Sequence, residues 1–190
     1  MADDSKASHG VLFTTRLSSG DVAWIVLRVA GSVAALIAVY YLLPLDHSST
    51  PVAVAILFVG LAAFITLVAI QVRLILRSPF PGLRAIEALA TSVPFFLLLF
   101  ASTYVVLAAL SSGNFGGRLS HSDGLYFTVT VFSTVGFGDI TAKSATARLV
   151  VTGQMIADLV VLGLAVKVIV GAMWRGQQPK APDQRPGQER

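Results

Sequence analysis

Apolar residues dominate this 190-residue chain in four long runs, separated by short polar breaks. The first, Val22–Leu43, lies between Asp21, a candidate N-cap, and Pro44, a stop. The second, Val52–Leu76, follows Thr50-Pro51, a cap with proline at the first helical position. The third is Ala85–Leu110, its start blurred by Arg84 and Glu87, and the fourth is Ala147–Trp174. Each is near the roughly 20 residues that carry a helix across a bilayer. Between the third and fourth lies "YFTVTVFSTV", Tyr126–Val135, apolar but about half a span long, which suits a re-entrant segment. The pattern predicts an all-α membrane protein with four transmembrane helices and a short re-entrant helix.

Composition agrees: 55% of residues are hydrophobic and 13% charged, with a mean hydropathy of +0.76. A soluble domain of this length needs more charge to cover its surface. There is no cysteine, which excludes disulfides and thiolate metal sites. The sequence pI of about 9.8 fits arginines facing anionic lipid, and no basic folded domain is available for nucleic acid.

Lysine and arginine bias sets the expected orientation. With the N-terminus inside, the cytoplasmic side receives Lys6, Arg16, Arg73, Arg77, Arg84, Arg175, Lys180, Arg185 and Arg190. Arg28 and Lys167 can snorkel to the same side, and the outer side keeps Arg118, Lys143 and Arg148. Both termini are then cytoplasmic in the cell membrane, and the re-entrant segment enters from outside. Residues 1–20 read as a polar cytoplasmic tail without a cleavage site, and 175–190 as a disordered tail rich in proline and glutamine. Residues 21–78 hold the two leading helices and 79–174 a pore-like unit.

The loop after the short helix reads "TVGFGD", Thr134–Asp139. Irregular backbone at membrane depth survives only when buried in protein or lining a wet path. Gly136 and Gly138 can adopt positive φ cheaply, so the hand of the backbone can alternate and successive carbonyls can face one way. Such a row can replace the water shell of a dehydrated cation, with the Thr134 hydroxyl at the inner end. Ser122 or Asp123 is the expected cap of the short helix, whose negative end would point at the pore centre.

These residues resemble the selectivity-filter signature of potassium channels, tetrameric pore-loop proteins whose filters are built from loops of the TVGYG type. The resemblance covers about Val93–Trp174. It implies that K+ is coordinated by the carbonyls of Thr134, Val135, Gly136 and Phe137, with Gly138 closing the outer end. Asp139 would sit at the mouth, where it can anchor the filter from behind. It also implies a homotetramer, since one chain carries one loop, and K+ as permeating ion with no other cofactor. The function so implied is passive, potassium-selective conduction by a small, bacterial-type member with two extra leading helices. The alternative is a non-conducting membrane subunit that keeps the fold; no enzymatic residue set is visible.

Three departures from the family pattern stand out. Phe137 replaces the commoner tyrosine. Tyr126 and Phe127 replace the pore-helix tryptophans that often receive its bond, so donor and acceptor are missing together. Thr130 stands where some bacterial members carry a carboxylate that pairs with the aspartate after the filter.

Asp158 occupies the place of a frequent hinge glycine, with Gly153 and Gly163 as alternative hinges. A carboxylate in mid-span is costly and marks a functional candidate. Three readings stay open: a buried residue, protonated or bonded to a neighbouring hydroxyl or amide; a cavity acid that concentrates cations; and an ion pair with a basic residue, for which Lys167, nine positions on, is on roughly the opposite helix face. Arg73, Arg77 and Arg84 are spaced by four and seven, unlike the every-third spacing of a voltage sensor, and read as positive-inside anchors.

Overall fold

The computed structural model describes residues 19–45, 50–78 and 81–176. The expected terminal tails lie mostly outside these residues. Five helices follow in order: α1 (Ser19–Leu42), α2 (Thr50–Leu76), α3 (Pro81–Leu110), α4 (His121–Phe132) and α5 (Ala145–Gly176). Four are long and apolar enough to cross a membrane, and α4, with 12 residues, is the short one. This is the all-α, multi-pass arrangement that the apolar runs predict.

The boundaries differ in informative ways. α1 begins at Ser19, so Asp21 lies inside the helix and does not cap it. α3 begins at Pro81, where a missing N–H costs nothing, so Arg84 and Glu87 belong to its first two turns. α5 begins two residues earlier than expected because the Ser144 hydroxyl accepts from Ala147 N at 3.0 Å. It then runs for 32 residues, about 48 Å at 1.5 Å per residue.

α3 is the hub. Within its span 44% of residues are buried, against 6% for the spans of α1 and α2, whose remaining surface suits lipid. One face of α3 carries Leu98, Ala101 and Val105 into a cluster with Tyr40 and Leu45 at the end of α1 and Ala53 of α2. The spacing of three and four is the pattern of one helix face. The adjoining face carries Tyr104 and Ala108 into a second cluster with Phe115, Phe127 of α4, and Ala147 and Val151 of α5. An aromatic ladder runs along it: Phe96–Phe100 centroids lie 4.9 Å apart, and Tyr104 meets Phe127 edge-on at 5.0 Å.

Glycine decides how close α4 comes to this hub. A Cβ at Gly124 would lie 2.6 Å from Val105 Cγ2 and 2.9 Å from the Ala101 carbonyl oxygen. The C-terminal end of α1 is tied to the same helix. The Tyr40 hydroxyl donates to the His121 carbonyl at 2.6 Å, and His121 Nε2 donates to the Leu43 carbonyl at 3.0 Å.

Candidate ion pathway

The site is built from the end of α4 and the loop that follows. α4 starts with a full capping box. The Ser120 hydroxyl accepts from Asp123 N at 3.1 Å, and Asp123 Oδ2 accepts from Ser120 N at 2.9 Å. The cap is therefore Ser120 rather than Ser122 or Asp123; Asp123 is its reciprocal partner at the third helical position. At the other end the Thr130 carbonyl turns from the helix ladder to the loop, accepting from Val135 N at 3.1 Å and Gly136 N at 3.2 Å. Thr134 N bonds the Val131 carbonyl at 3.0 Å. The loop thus grows directly from the negative end of a half-length helix.

Its backbone alternates in hand. Thr134, Gly136 and Gly138 have φ of 59°, 53° and 80°, while Val135 and Phe137 do not enter the positive region. The two glycines take these values as anticipated. Thr134 is a β-branched residue in the left-handed region, a conformation that costs of order 1–3 kcal/mol. The strain is held by the paired bonds onto Thr130 and Val131. Residues 133–139 are exposed on the single chain, Val135 and Phe137 at 55% and 70%. An apolar pair so open on an alternating strand forms one wall of a larger enclosure, or lies bare.

Behind the strand, the rings of Phe137 and Tyr126 stack with centroids 6.3 Å apart and planes 6° off parallel. A side-chain hydrogen bond to Asp139 raises the Tyr126 pKa above its ordinary value. Tyr126 thus carries a phenol where sequence reasoning expects no hydroxyl, and the group it senses is Asp139 rather than residue 137. The Thr130 hydroxyl bonds the Phe127 carbonyl at 2.8 Å within α4.

The strand's far end is fixed by Asn114. Its carbonyl accepts from Lys143 N at 2.8 Å, its Oδ1 from the Ser144 hydroxyl at 2.6 Å, and its Nδ2 donates to the Leu107 carbonyl at 2.6 Å. Nothing in the sequence singles Asn114 out beyond its place in a turn.

Asp158 is 4% exposed and lies inside the chain's own fold. Its Oδ2 accepts from Gln154 Nε2 at 3.3 Å, while Oδ1 is buried with no hydrogen-bond partner. Gln154 is fully buried and joins three helices: Oε1 accepts from the Tyr104 hydroxyl of α3 at 2.6 Å, and Nε2 also donates to the Thr128 carbonyl of α4 at 3.2 Å. Of the three readings of Asp158, this geometry has the form of the buried one, bonded to an amide. Gly153 and Gly163 lie on exposed, unbroken stretches of α5, with open space where a Cβ would stand. Among the described residues, no group of three or more His, Asp and Glu gathers as metal ligands would.

Arg28 does not simply snorkel to water. It forms an ion pair with Glu87 of α3, which also accepts from Arg84 Nη1 at 3.1 Å.

Comparison with known proteins bears on residues 92–175, which match the family model described as "Ion channel". The voltage-gated potassium channel Kch of Escherichia coli (strain K12) is 37% identical over 105 residues, 54% of this chain and 25% of that protein. The chain thus spans about a quarter of the length of this curated relative. No solved structure matches the chain. The matched segment holds α4, the alternating strand and α5, together with α3 from residue 92 onward. The segment that holds the site is thus similar to ion channels, and the chain shares sequence with a potassium channel over about half its length.

Proposed function

We propose that the chain is the subunit of a homotetrameric, potassium-selective channel that conducts K+ passively across the cell membrane, with both termini cytoplasmic. The observation that carries this reading is the alternation of backbone hand over Thr134–Gly138 at the carbonyl end of a half-length helix. Alternation turns the carbonyls of Thr134, Val135, Gly136 and Phe137 to one side, where four copies around an axis form a cage that replaces water around K+. Gly138 closes the outer end of each strand, and Asp139, held by Tyr126, lies at the mouth. One chain supplies one wall, so the exposure of Val135 and Phe137 supports closed four-fold assembly. α1 and α2 pack on α3, outside the conducting axis, and face the bilayer. Asp158 acts within the subunit wall, and Gly153 and Gly163 are the candidate bending points of α5. K+ is the permeating ion, and no cofactor is needed.

The test is K+ flux from liposomes holding the purified chain. Wild type passes K+ and excludes Na+. Gly136→Ala, which puts a methyl group on a residue at φ 53°, abolishes flux while the protein still inserts and assembles. Normal selectivity in that variant would refute the filter assignment. Absence of flux from an assembled wild type would favour the non-conducting subunit instead.

A further inference from the structure

A cavity of about 230 Å3 opens between α1, α2 and α3, far from the ion pathway. Its polar lining comprises Arg28 and Ser32 of α1, Gln71 of α2, and Arg84, Glu87 and Thr91 of α3. Beside them, α2 contributes Leu67, Ile70 and Leu74. The lining is therefore amphipathic, with charged groups from α1 and α3 and hydrocarbon from α2.

Charge and donor count leave the cavity under-occupied by protein. Glu87, 10% exposed, pairs with both guanidiniums, so three charges sum to plus one. Each guanidinium carries five N–H donors in a planar fork, and one carboxylate with two oxygens cannot engage both forks fully. The arginine side chains remain 53% and 45% exposed. Gln71 Oε1 accepts from the Ser92 hydroxyl at 2.5 Å, leaving its amide hydrogens as further donors. Ser32 and Thr91 donate to the carbonyls of Arg28 and Glu87, at 2.9 and 3.1 Å, and offer only lone pairs. The unmet chemistry is donation of N–H bonds, which a monoanion with several oxygens answers.

Depth selects among such anions. Arg28 stands five residues inside the apolar span that begins at Ala23, about 8 Å along the helix, and Arg84 opens the span of α3. Both guanidiniums thus lie where headgroup meets acyl chain, a depth at which basic pockets between helices hold lipid headgroups. We propose that this cavity is a binding site for an anionic phospholipid, its phosphate held by Arg28 and Arg84 and its acyl chains laid against Leu67, Ile70 and Leu74. Glu87 keeps the two arginines in place when the site is empty and competes for them when it is filled. The site ties α1 and α2 to α3 through a bound lipid and does not depend on the channel reading.

The experiment is native mass spectrometry of the purified full chain in detergent, titrated with phosphatidylglycerol, with phosphatidylcholine, and with inorganic phosphate. Phosphatidylglycerol should be retained at least tenfold better than phosphatidylcholine, and inorganic phosphate should not displace it. Arg28→Gln with Arg84→Gln should remove that preference. Glu87→Gln should strengthen phosphatidylglycerol retention severalfold, because it frees both forks; this variant decides the matter even where the double variant fails to fold. Unchanged retention in the arginine variant would overturn the proposal. So would weaker retention in Glu87→Gln, which would make the cluster a purely structural ion pair, or displacement by inorganic phosphate, which would make the ligand a soluble anion.

Discussion

Gln154 offers a quantitative test of how the ion pathway is held. Replacing it with leucine keeps the volume and removes bonds to Tyr104, Thr128 and Asp158 at 2.6, 3.2 and 3.3 Å. The Thr128 carbonyl belongs to α4 and retains a helical acceptor role, so its loss is minor. The Tyr104 hydroxyl and Asp158 are different: both are buried, and Asp158 Oδ1 already lacks a partner. Leaving a buried polar group unsatisfied costs about 1–3 kcal/mol, and two are stranded, so Gln154→Leu should destabilise the chain by about 2–6 kcal/mol in total. Tyr104→Phe alone strands only the Gln154 oxygen and should cost about 1–2 kcal/mol. The double variant removes donor and acceptor together, so it should be less destabilised than the sum, with a coupling of about 1 kcal/mol. Urea unfolding of the detergent-solubilised chain, followed by tryptophan fluorescence, measures all three. A Gln154→Leu effect under about 0.5 kcal/mol, the size of an ordinary surface change, would refute the reasoning.

Other outcomes follow from single contacts. Gly124→Val should prevent α4 from seating on α3, costing about 1–3 kcal/mol or more by overpacking against Val105, read by the same unfolding curve. Ser120→Ala removes the cap of α4 and should cost about 1 kcal/mol, while Ser122→Ala should be near neutral. Tyr126→Phe deprives Asp139 of its donor while keeping the ring stack, so liposome K+ flux should decay faster after its onset; an unchanged time course would show the anchor to be idle. Because that bond raises the Tyr126 pKa, its contribution is whole below pH about 10 and is lost as pH rises through the raised value, so Tyr126→Phe should erase this alkaline dependence of flux. Asp158→Asn, which keeps the shape, should leave conductance and internal magnesium block unchanged; weaker block would return Asp158 to the cavity.

What the sequence made legible is what depends on neighbours along the chain. The four spans follow from run length, α4 from a run too short to cross, and the positive φ of Gly136 and Gly138 from residue type. The capping box was also readable, since Ser120 and Asp123 stand three apart, but Ser122 nearer the apolar run drew the assignment. Thr134 could not be anticipated, because its positive φ is imposed by bonds to Thr130 and Val131 and is disfavoured by its own side chain. The pairing of Arg28 with Glu87 joins residues 59 positions apart, and positive-inside bias explains both arginines without it. Gln154 is invisible for a similar reason: a lone amide in an apolar helix declares its partners only when three helices meet.

The two hydrogen bonds between Tyr40, His121 and Leu43 bear on how this chain could have been put together. The family-model match begins at residue 92, which sets that segment apart from the two leading helices. Yet the first residue of α4 is bonded to the end of α1, 78 and 81 positions earlier, through its own ring and backbone. The segment that matches the family model and the unit that folds therefore have different edges. Cutting the chain before residue 79 would leave His121 without its two bonds and Gly124 with one side uncovered. A graft of residues 92–175 onto other leading helices would have to supply a phenol and a free carbonyl at the same height, or accept an α4 whose first turn is loose.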